Sequence, residues 1–537
     1  MKIKFCGATN HVTGSCSWLI YNQTDTQFLV DCGMHQGFNV EYRNTNSFPF
    51  EPKKLKFMFL THAHVDHSGL IPRLYKEGFK GKVFTTRATA REAELILKDA
   101  AKISNLFNKT HVDLIQFHCV DDFENFSWGK SLPIDAGIKA TFLRSSHILG
   151  AASISIAWAK LPEDFDPKKA KTFCFSGDIG CNTDDSSYLP LMKPNKYPFA
   201  SSDYLLVEST YGGVIRDKHL KSSKNRLSAL EQALTDTIIK SKGKVLIPSF
   251  SIHRAQEILL DLLAVLDGGF DRQLDILIHS TMIAKANQIY FEELESTIKT
   301  HKKITNQYLR EDIQTKPYYT AFKELLNTEH PSGKSQAETN FKGHNIRVMT
   351  KTPKSVDGFD VIIASSGMCE AGPIVNHLKR LEKDHNNSLI LTGFQAKGTK
   401  GEELKLNASK NKQNQVMRVI DLSAFYSGHG DQEVILDYIF KLNGYEDQSH
   451  PTTVFINHGE KSNKHELLQC IADTSKKNSA EFNRKISQIY LAETKEDWFD
   501  LDGGIDKNET KKILEENEYL KKELEKLKYK IEVLNPY

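Results

Sequence analysis

A chain of 537 residues is too long for one compact core, so two or more domains are expected. Hydrophobic residues at 39% and charged residues at 26% are ordinary values for a soluble globular protein. A formal charge of +3 excludes an overall positive field, so nucleic-acid binding would rest on a local basic surface.

The N-terminal stretch holds one apolar patch, too short and too interrupted for a signal peptide. No apolar run approaches the roughly 20 residues of a membrane span, so no membrane partner is expected. The eight cysteines include no CxxC pair, and a reducing cytoplasm with free, packed thiols is the expectation.

Up to about residue 159, short apolar runs alternate with turn signals, as at residues 18–20, 28–30 and 56–60, which predicts a sheet-rich layer. Helical periodicity enters at residues 69–75 and 88–101. From about Asn225, longer helices alternate with single buried strands. Residues 244–248, 275–278 and 361–364 read as strands and 254–266 as a helix, the pattern of a parallel α/β unit. Residues 327–342 are polar and predict a loop, and strands return at 388–392, 416–420 and 453–456.

Residues 498–508 read as a linker whose Asp500, Asp502 and Asp506 miss the calcium-loop spacing. Beyond it, Ile513, Leu520, Leu527 and Leu534 recur every seven residues, with Asn517, Leu524 and Ile531 at the other core position. Such heptads suit a coiled coil, and an Asn at a core position sets two-strand register. Two readings of this tail stand: self-association into a homodimer, or one helix packed on its own domain.

The densest chemistry lies at His62-Ala63-His64-Val65-Asp66-His67, directly after the apolar run ending at Leu60. Imidazoles with a carboxylate suit zinc, and coordination positions left to water make such a site catalytic. A single histidine would more simply be a satisfied core or surface residue, but four ligand-type side chains in six positions argue against that. Four residues do not fill two metal shells. Further candidates follow strand-like runs: His147 in Ser146-His147-Ile148, Asp178 in Ser176-Gly177-Asp178, and His429 in Gly428-His429.

With Asp31 in Val30-Asp31-Cys32-Gly33 ahead of the HxHxDH cluster, the order of motifs resembles the metallo-β-lactamase fold. That resemblance implies an α/β architecture, an αββα sandwich holding two Zn²⁺ ions per chain. It implies His62, His64 and His147 on one zinc, Asp66, His67 and His429 on the other, and Asp178 bridging both. Asp31 would orient a ligand histidine.

The long stretch between Asp178 and His429 resembles the β-CASP insertion of nucleases that process RNA. The motifs that carry this are Glu208 in Val207-Glu208-Ser209-Thr210, Pro248-Ser249-Phe250 with Arg254, Ala364-Ser365-Ser366-Gly367, residues 393–399, His429, and Asn457-His458-Gly459. The opening residues 7–15 are similar to the cleavage-and-polyadenylation endonuclease group rather than the ribonuclease J group. The implied plan is a metallo-β-lactamase domain in two parts, 1–209 and 394–495, around a β-CASP domain at 210–393, then linker and coiled-coil helix at 496–537.

The expected activity is hydrolysis of RNA phosphodiester bonds, endonucleolytic in mode, by a hydroxide bridging the two ions. Asp66, Asp178, Glu208 and His458 are the expected catalytic residues. Arg254, Ser365, Ser366 and His377 are expected to line the cleft and meet the RNA backbone, against simpler roles in capping, turns or solvation. One departure stands out: where the eukaryotic endonucleases place a proton-donating histidine, five residues after Gly398, this chain has Glu403. A glutamate donates a proton only when burial or a neighbouring negative charge raises its pKa, so His458 is the better candidate for contact with the leaving group. The rival readings are an RNA-binding scaffold of weak activity and a hydrolase of DNA or small esters. RNA is the expected partner, and a homodimer through surfaces away from the cleft or through the tail is the expected assembly.

Overall fold

The structure, a computed structural model, describes residues 1–37, 41–163, 165–195, 202–295, 308–329, 336–409, 417–441, 451–476, 484–492 and 498–503. The heptad segment at residues 513–534 lies outside the described residues.

Three seven-stranded sheets form among the described residues. In the first, strand Leu55–Phe59 shows why the chain layers as it does. Phe57 and Phe59 point to one side and join a core of aromatics with Phe5, Phe28, Phe142, Phe173 and Phe455. Met58 points to the other and packs under helices through Ile71, Leu74, Ala93 and Leu97, joined by Leu55 from before the register shift at Lys56. A period of two with both faces apolar is what a sheet sandwiched between a second sheet and a helical layer requires.

The second sheet repeats this on its side. Its strands Lys171–Phe175, Tyr204–Glu208 and Thr452–Asn457 turn Cys174, Leu205, Val207, Val454 and Ile456 outward. Helices Gln432–Phe440 and Lys461–Ser475 cover that face. The result is the αββα sandwich expected from the sequence.

The third sheet is parallel except for its edge strand Ala337–Phe341. Its central strands Val245–Pro248 and Val361–Ala364 are buried at every position, as parallel strands covered on both faces are. Strand Arg418–Asp421 pairs with Ser388–Leu391, so this sheet extends past the boundary expected at residue 393.

Two further expectations need correction. Residues 327–342 are not all loop: Ala337–Phe341 alternates buried and exposed and pairs with His344–Met349. Lys342 and Gly343, both at positive φ, make the tight turn between them. The linker expected at 498–508 begins with an edge strand, Phe499–Asp500, paired with Lys2–Phe5. Trp158 Nε1 donates to Asp502 at 3.0 Å and Tyr204 Oη donates to Leu501 O at 2.6 Å, which docks this segment.

A buried ion pair sits close to where the insertion meets the sandwich. Arg226, 2% exposed, donates from Nε to Asp261 at 2.6 Å and from Nη2 at 3.0 Å, and Tyr426 Oη donates to the same carboxylate at 2.8 Å. Removing one partner leaves a buried charge without compensation. Asp261→Ala is therefore expected to lower stability by about 3–5 kcal/mol in denaturant titration. A loss below about 1 kcal/mol would show that the guanidinium finds water instead.

Candidate metal centre

The site lies along one rim of the sandwich, where parallel strands end together. Asp31 follows Thr26–Val30, His62 and His64 follow Leu55–Phe59, Asp178 follows Lys171–Phe175, and Glu208 closes Tyr204–Glu208. His458 follows Thr452–Asn457, and His147 follows Ile138–Arg144. His64 caps the short helix Val65–Ser68, which places Asp66 and His67 in its first turn. The backbone of residues 31–33 packs tightly on this turn. Cys32 N–H donates to His67 O at 2.8 Å, and a Cβ on Gly33 would stand 1.6 Å from Asp66 O. Only glycine fits there.

Two donor groups hold the histidine cluster, and a third, overlapping one joins Asp178, Glu208 and His458. His62, His64, His147 and Asp178 bring one ligand atom each within 4.8 Å of one another, and Asp66, His67 and His458 do the same. Asp178 joins them. Its Oδ2 lies 3.4 Å from His62 Nε2 and 3.5 Å from His147 Nε2, and its Oδ1 lies 3.2 Å from His67 Nε2 and 3.7 Å from His458 Nδ1.

His429, the expected ligand beside Asp66 and His67, is in none of these groups among the described residues. His458 stands there instead, with Nε2 3.2 Å from His67 Nε2 and 3.4 Å from Asp66. The reason is topological. His458 leaves a central strand of the second sheet, whereas His429 arrives on a loop after the turn Ser423–Tyr426 and reaches the site from the far side. There its Nδ1 lies 3.1 Å from both oxygens of Glu208, and its Nε2 lies 3.8 Å from Asp178.

Electrostatics separate the histidines. Burial holds His62 below its ordinary value and His64 down at about 3, and burial together with the His429 charge holds His147 well below. These three are held toward the neutral form that binds metal. The Asp178 and Asp31 carboxylates instead outweigh burial and raise His67 well above its ordinary value, and Asp178 raises His458. Burial also opposes charge on His429, but the Glu208 and Asp178 carboxylates outweigh it and lift the ring to about 9. Burial would raise Asp178, yet the surrounding imidazoles, His458 and His67 foremost, hold it well below the carboxylate range.

The residues fit a metal. His64 Nδ1 faces His62 Nε2 at 3.2 Å and His147 Nε2 at 3.1 Å, so ring lone pairs converge. Asp178 Oδ1 is buried, with His67 Nε2 3.2 Å away and no well-formed hydrogen bond among the described residues. Ring orientations are set from behind. Asp31 accepts from His67 Nδ1 at 2.8 Å and from Thr61 N–H at 2.8 Å, and Gly428 O accepts from His147 Nδ1 at 3.0 Å. Thr61, whose hydroxyl also donates to Asp31, escaped the sequence reading. Its one signal is its place between strand and cluster.

The other candidates divide. Arg254 is nearly buried, is paired with Glu257, and has its guanidinium 5.3 Å from the Tyr426 ring, beside Gly428. Ser365 Oγ bonds Ser280 Oγ at 2.8 Å, and Ser366 Oγ accepts from Ala371 N–H at 3.4 Å, both in the turn before helix Pro373–Leu381. His377 is 1% exposed and its Nε2 is 2.8 Å from His279 Nδ1, so it lines no open surface. Glu403 is exposed on helix Lys400–Ser409 and paired with Lys400 at 3.0 Å.

Residues 255–404 match the Beta-Casp domain family, and residues 12–84 match the Metallo-beta-lactamase superfamily. The chain is 30% identical over 476 residues to "Ribonuclease TTHA0252" of Thermus thermophilus, covering 86% of this chain and 93% of that protein. It is 28% identical over 486 residues to "Transcription termination factor FttA" of Methanocaldococcus jannaschii, covering 86% of this chain and 67% of that one. It is 29% identical over 468 residues to an "RNase J-like protein" of the same organism, covering 86% of this chain and 92% of that protein. With the sandwich, the inserted parallel sheet and the donor cluster at the strand ends, the chain belongs to the β-CASP nucleases of the metallo-β-lactamase fold.

Proposed function

We propose that the chain is a zinc-dependent ribonuclease that cuts RNA phosphodiester bonds endonucleolytically at this centre. The observation that carries the reading is Asp178: its two oxygens face two separate donor sets, which is the layout of a two-metal hydrolase. A relative carrying the name ribonuclease along nearly its whole length supports RNA as the substrate.

On this reading, His62, His64 and His147 hold one zinc, Asp66, His67 and His458 hold the other, and Asp178 serves both. When bound, the ions supply Lewis-acid charge and activate water near neutral pH. The chain's own residues do the rest. Asp31 keeps the proton of His67 on Nδ1, so Nε2 presents its lone pair to the site. Glu208 receives Nδ1–H of His429, which leaves Nε2–H directed at the site and ready to protonate the departing oxygen. On this reading that pair, rather than His458, carries the task of meeting the leaving group.

The test is cleavage of end-labelled and circular RNA by metal-loaded protein, with single-stranded DNA alongside. Chelation is expected to abolish cutting and zinc to restore it, and the circular RNA is expected to be opened. Equal or faster cutting of DNA sinks the RNA assignment, and fewer than one zinc per chain favours a binding scaffold. His64→Ala and Asp178→Ala are each expected to remove turnover with the circular-dichroism spectrum retained.

The His429–Glu208 pair makes a pH prediction. A proton donor acts only while protonated, so with its pKa lifted to about 9 the rate is expected to hold at lower pH and fall as pH rises through about 9. Glu208→Gln removes the main charge that lifts the ring, so the alkaline limb is expected to move to lower pH. His429→Ala is expected to slow cleavage by about 100-fold or more. A limb that stays in place in Glu208→Gln contradicts the assignment.

A further inference from the structure

The other feature of this rim is a cavity of about 450 Å³ on the opposite side of the loop that runs from Gly7 to Ser15. That loop is shared with the metal centre. Ala8 O accepts His458 N–H at 3.0 Å, Gly7 O accepts from Asn457 Nδ2 at 3.2 Å, and Ser15 N–H donates to Asp66 O at 2.8 Å. The cavity is therefore one backbone thickness from the second donor group.

Its walls carry cations and hydrogen-bonding groups but no carboxylate. His11, His35, Arg43 and Arg73 face it, and among the described residues none that line it is acidic, although the Glu460 charge reaches His11. Arg73 is already engaged: it pairs with Glu77 at 2.7 Å and lies 4.5 Å over the Phe48 ring. Arg43 makes no ion pair among the described residues; its only hydrogen bond and ring contact there are with exposed Tyr42, whose Oη accepts from Nε at 3.0 Å and whose ring lies 5.6 Å from the guanidinium. Its charge acts on both His11 and His35, which burial already keeps neutral.

His35 is held firmly through its backbone. Asn44 clamps its backbone at both ends, with 2.8 Å bonds to N–H and O. The ring lies flat on Gly14, where a Cβ would come within 2.5 Å of it. Yet its Nδ1 is buried and has no hydrogen-bond partner among the described residues. Stacked Phe48 and Phe50, 5.1 Å apart, complete an apolar wall beside it. A neutral imidazole offers one donor and one acceptor, as a base edge requires. A free guanidinium suits phosphate, and an aromatic wall suits a base.

We propose that this cavity receives one nucleotide of the RNA strand beside the bond that is cut, with its phosphate on Arg43 and its base between His35, His11 and the Phe48–Phe50 wall. The inference rests on the ribonuclease reading and adds to it a place where sequence is sensed.

The experiment measures KM and kcat on short RNAs that share one cleavage site and carry a single abasic residue, moved one position at a time past the cut. In the wild type, abasic substitution at one position adjacent to the cut is expected to raise KM about 10-fold. In Arg43→Gln and His35→Gln, KM is expected to be raised for the intact RNA, and the abasic substitution at that position is expected to add little. Metal content and melting temperature serve as the control for folding. A flat scan in the wild type, or a penalty that persists in full in both variants, overturns the proposal. Nucleoside monophosphate binding that depends on Arg43 alongside a flat scan also overturns it, by assigning the cavity to a free nucleotide. A wild type that binds and cuts no RNA at all removes the ribonuclease reading, and this inference with it.

Discussion

A carboxylate 1% exposed is costly to keep ionised, and Asp178 is surrounded so that it stays ionised. Imidazoles from His62, His67, His147, His429 and His458 all come within 4 Å of its oxygens. Those five side chains span almost four hundred positions of sequence. Bringing them to one point constrains the fold: both sheets must end their parallel strands on one rim, and the chain must return to that rim after the insertion. His429 and His458 lie beyond the third sheet, so the site is complete only when the insertion has folded and handed the chain back.

The insertion also shapes the centre from outside. The buried network of Arg226, Asp261 and Tyr426 anchors the turn Ser423–Tyr426, three residues before His429. From another side, Arg216 Nη2 donates to His429 O at 2.7 Å and Nη1 donates to Tyr188 Oη at 2.8 Å. Lys221 pairs with Asp431 and Glu433. Of the basic run at residues 216–224, Arg216 and Lys221 are turned inward to hold this loop, while Lys218 and Lys224 are exposed. Local charge in a sequence does not reveal whether it faces solvent or a carbonyl.

Most of the sandwich was legible because its signal is local. Phe57, Met58 and Phe59 declare a two-faced strand within three residues, and the HxHxDH cluster falls within six. The identity of the ligand-type residues was legible too, since each follows an apolar run. What was not legible is which of them meet. His429 and His458 each follow a motif of small or polar residues, and only the sheet order separates a residue leaving a central strand from one arriving on a loop. His377 failed for a related reason: at one position of a helix, periodicity does not say that His279 will occupy its ring. Ala337–Phe341 was missed because a polar edge strand has no apolar run to mark it, and its turn is Lys-Gly rather than a stronger turn pair.

On the proposed two-metal reading, Asp178 joins two metal positions and His458, not His429, completes the second. Anomalous diffraction at the zinc edge from crystals of the zinc-loaded protein tests this most directly. The account predicts two peaks, one amid His62, His64, His147 and Asp178 and one amid Asp66, His67, His458 and Asp178, with His429 bonded to Glu208 and to no metal. A single peak, or a second peak coordinated by His429 with His458 free, would contradict it.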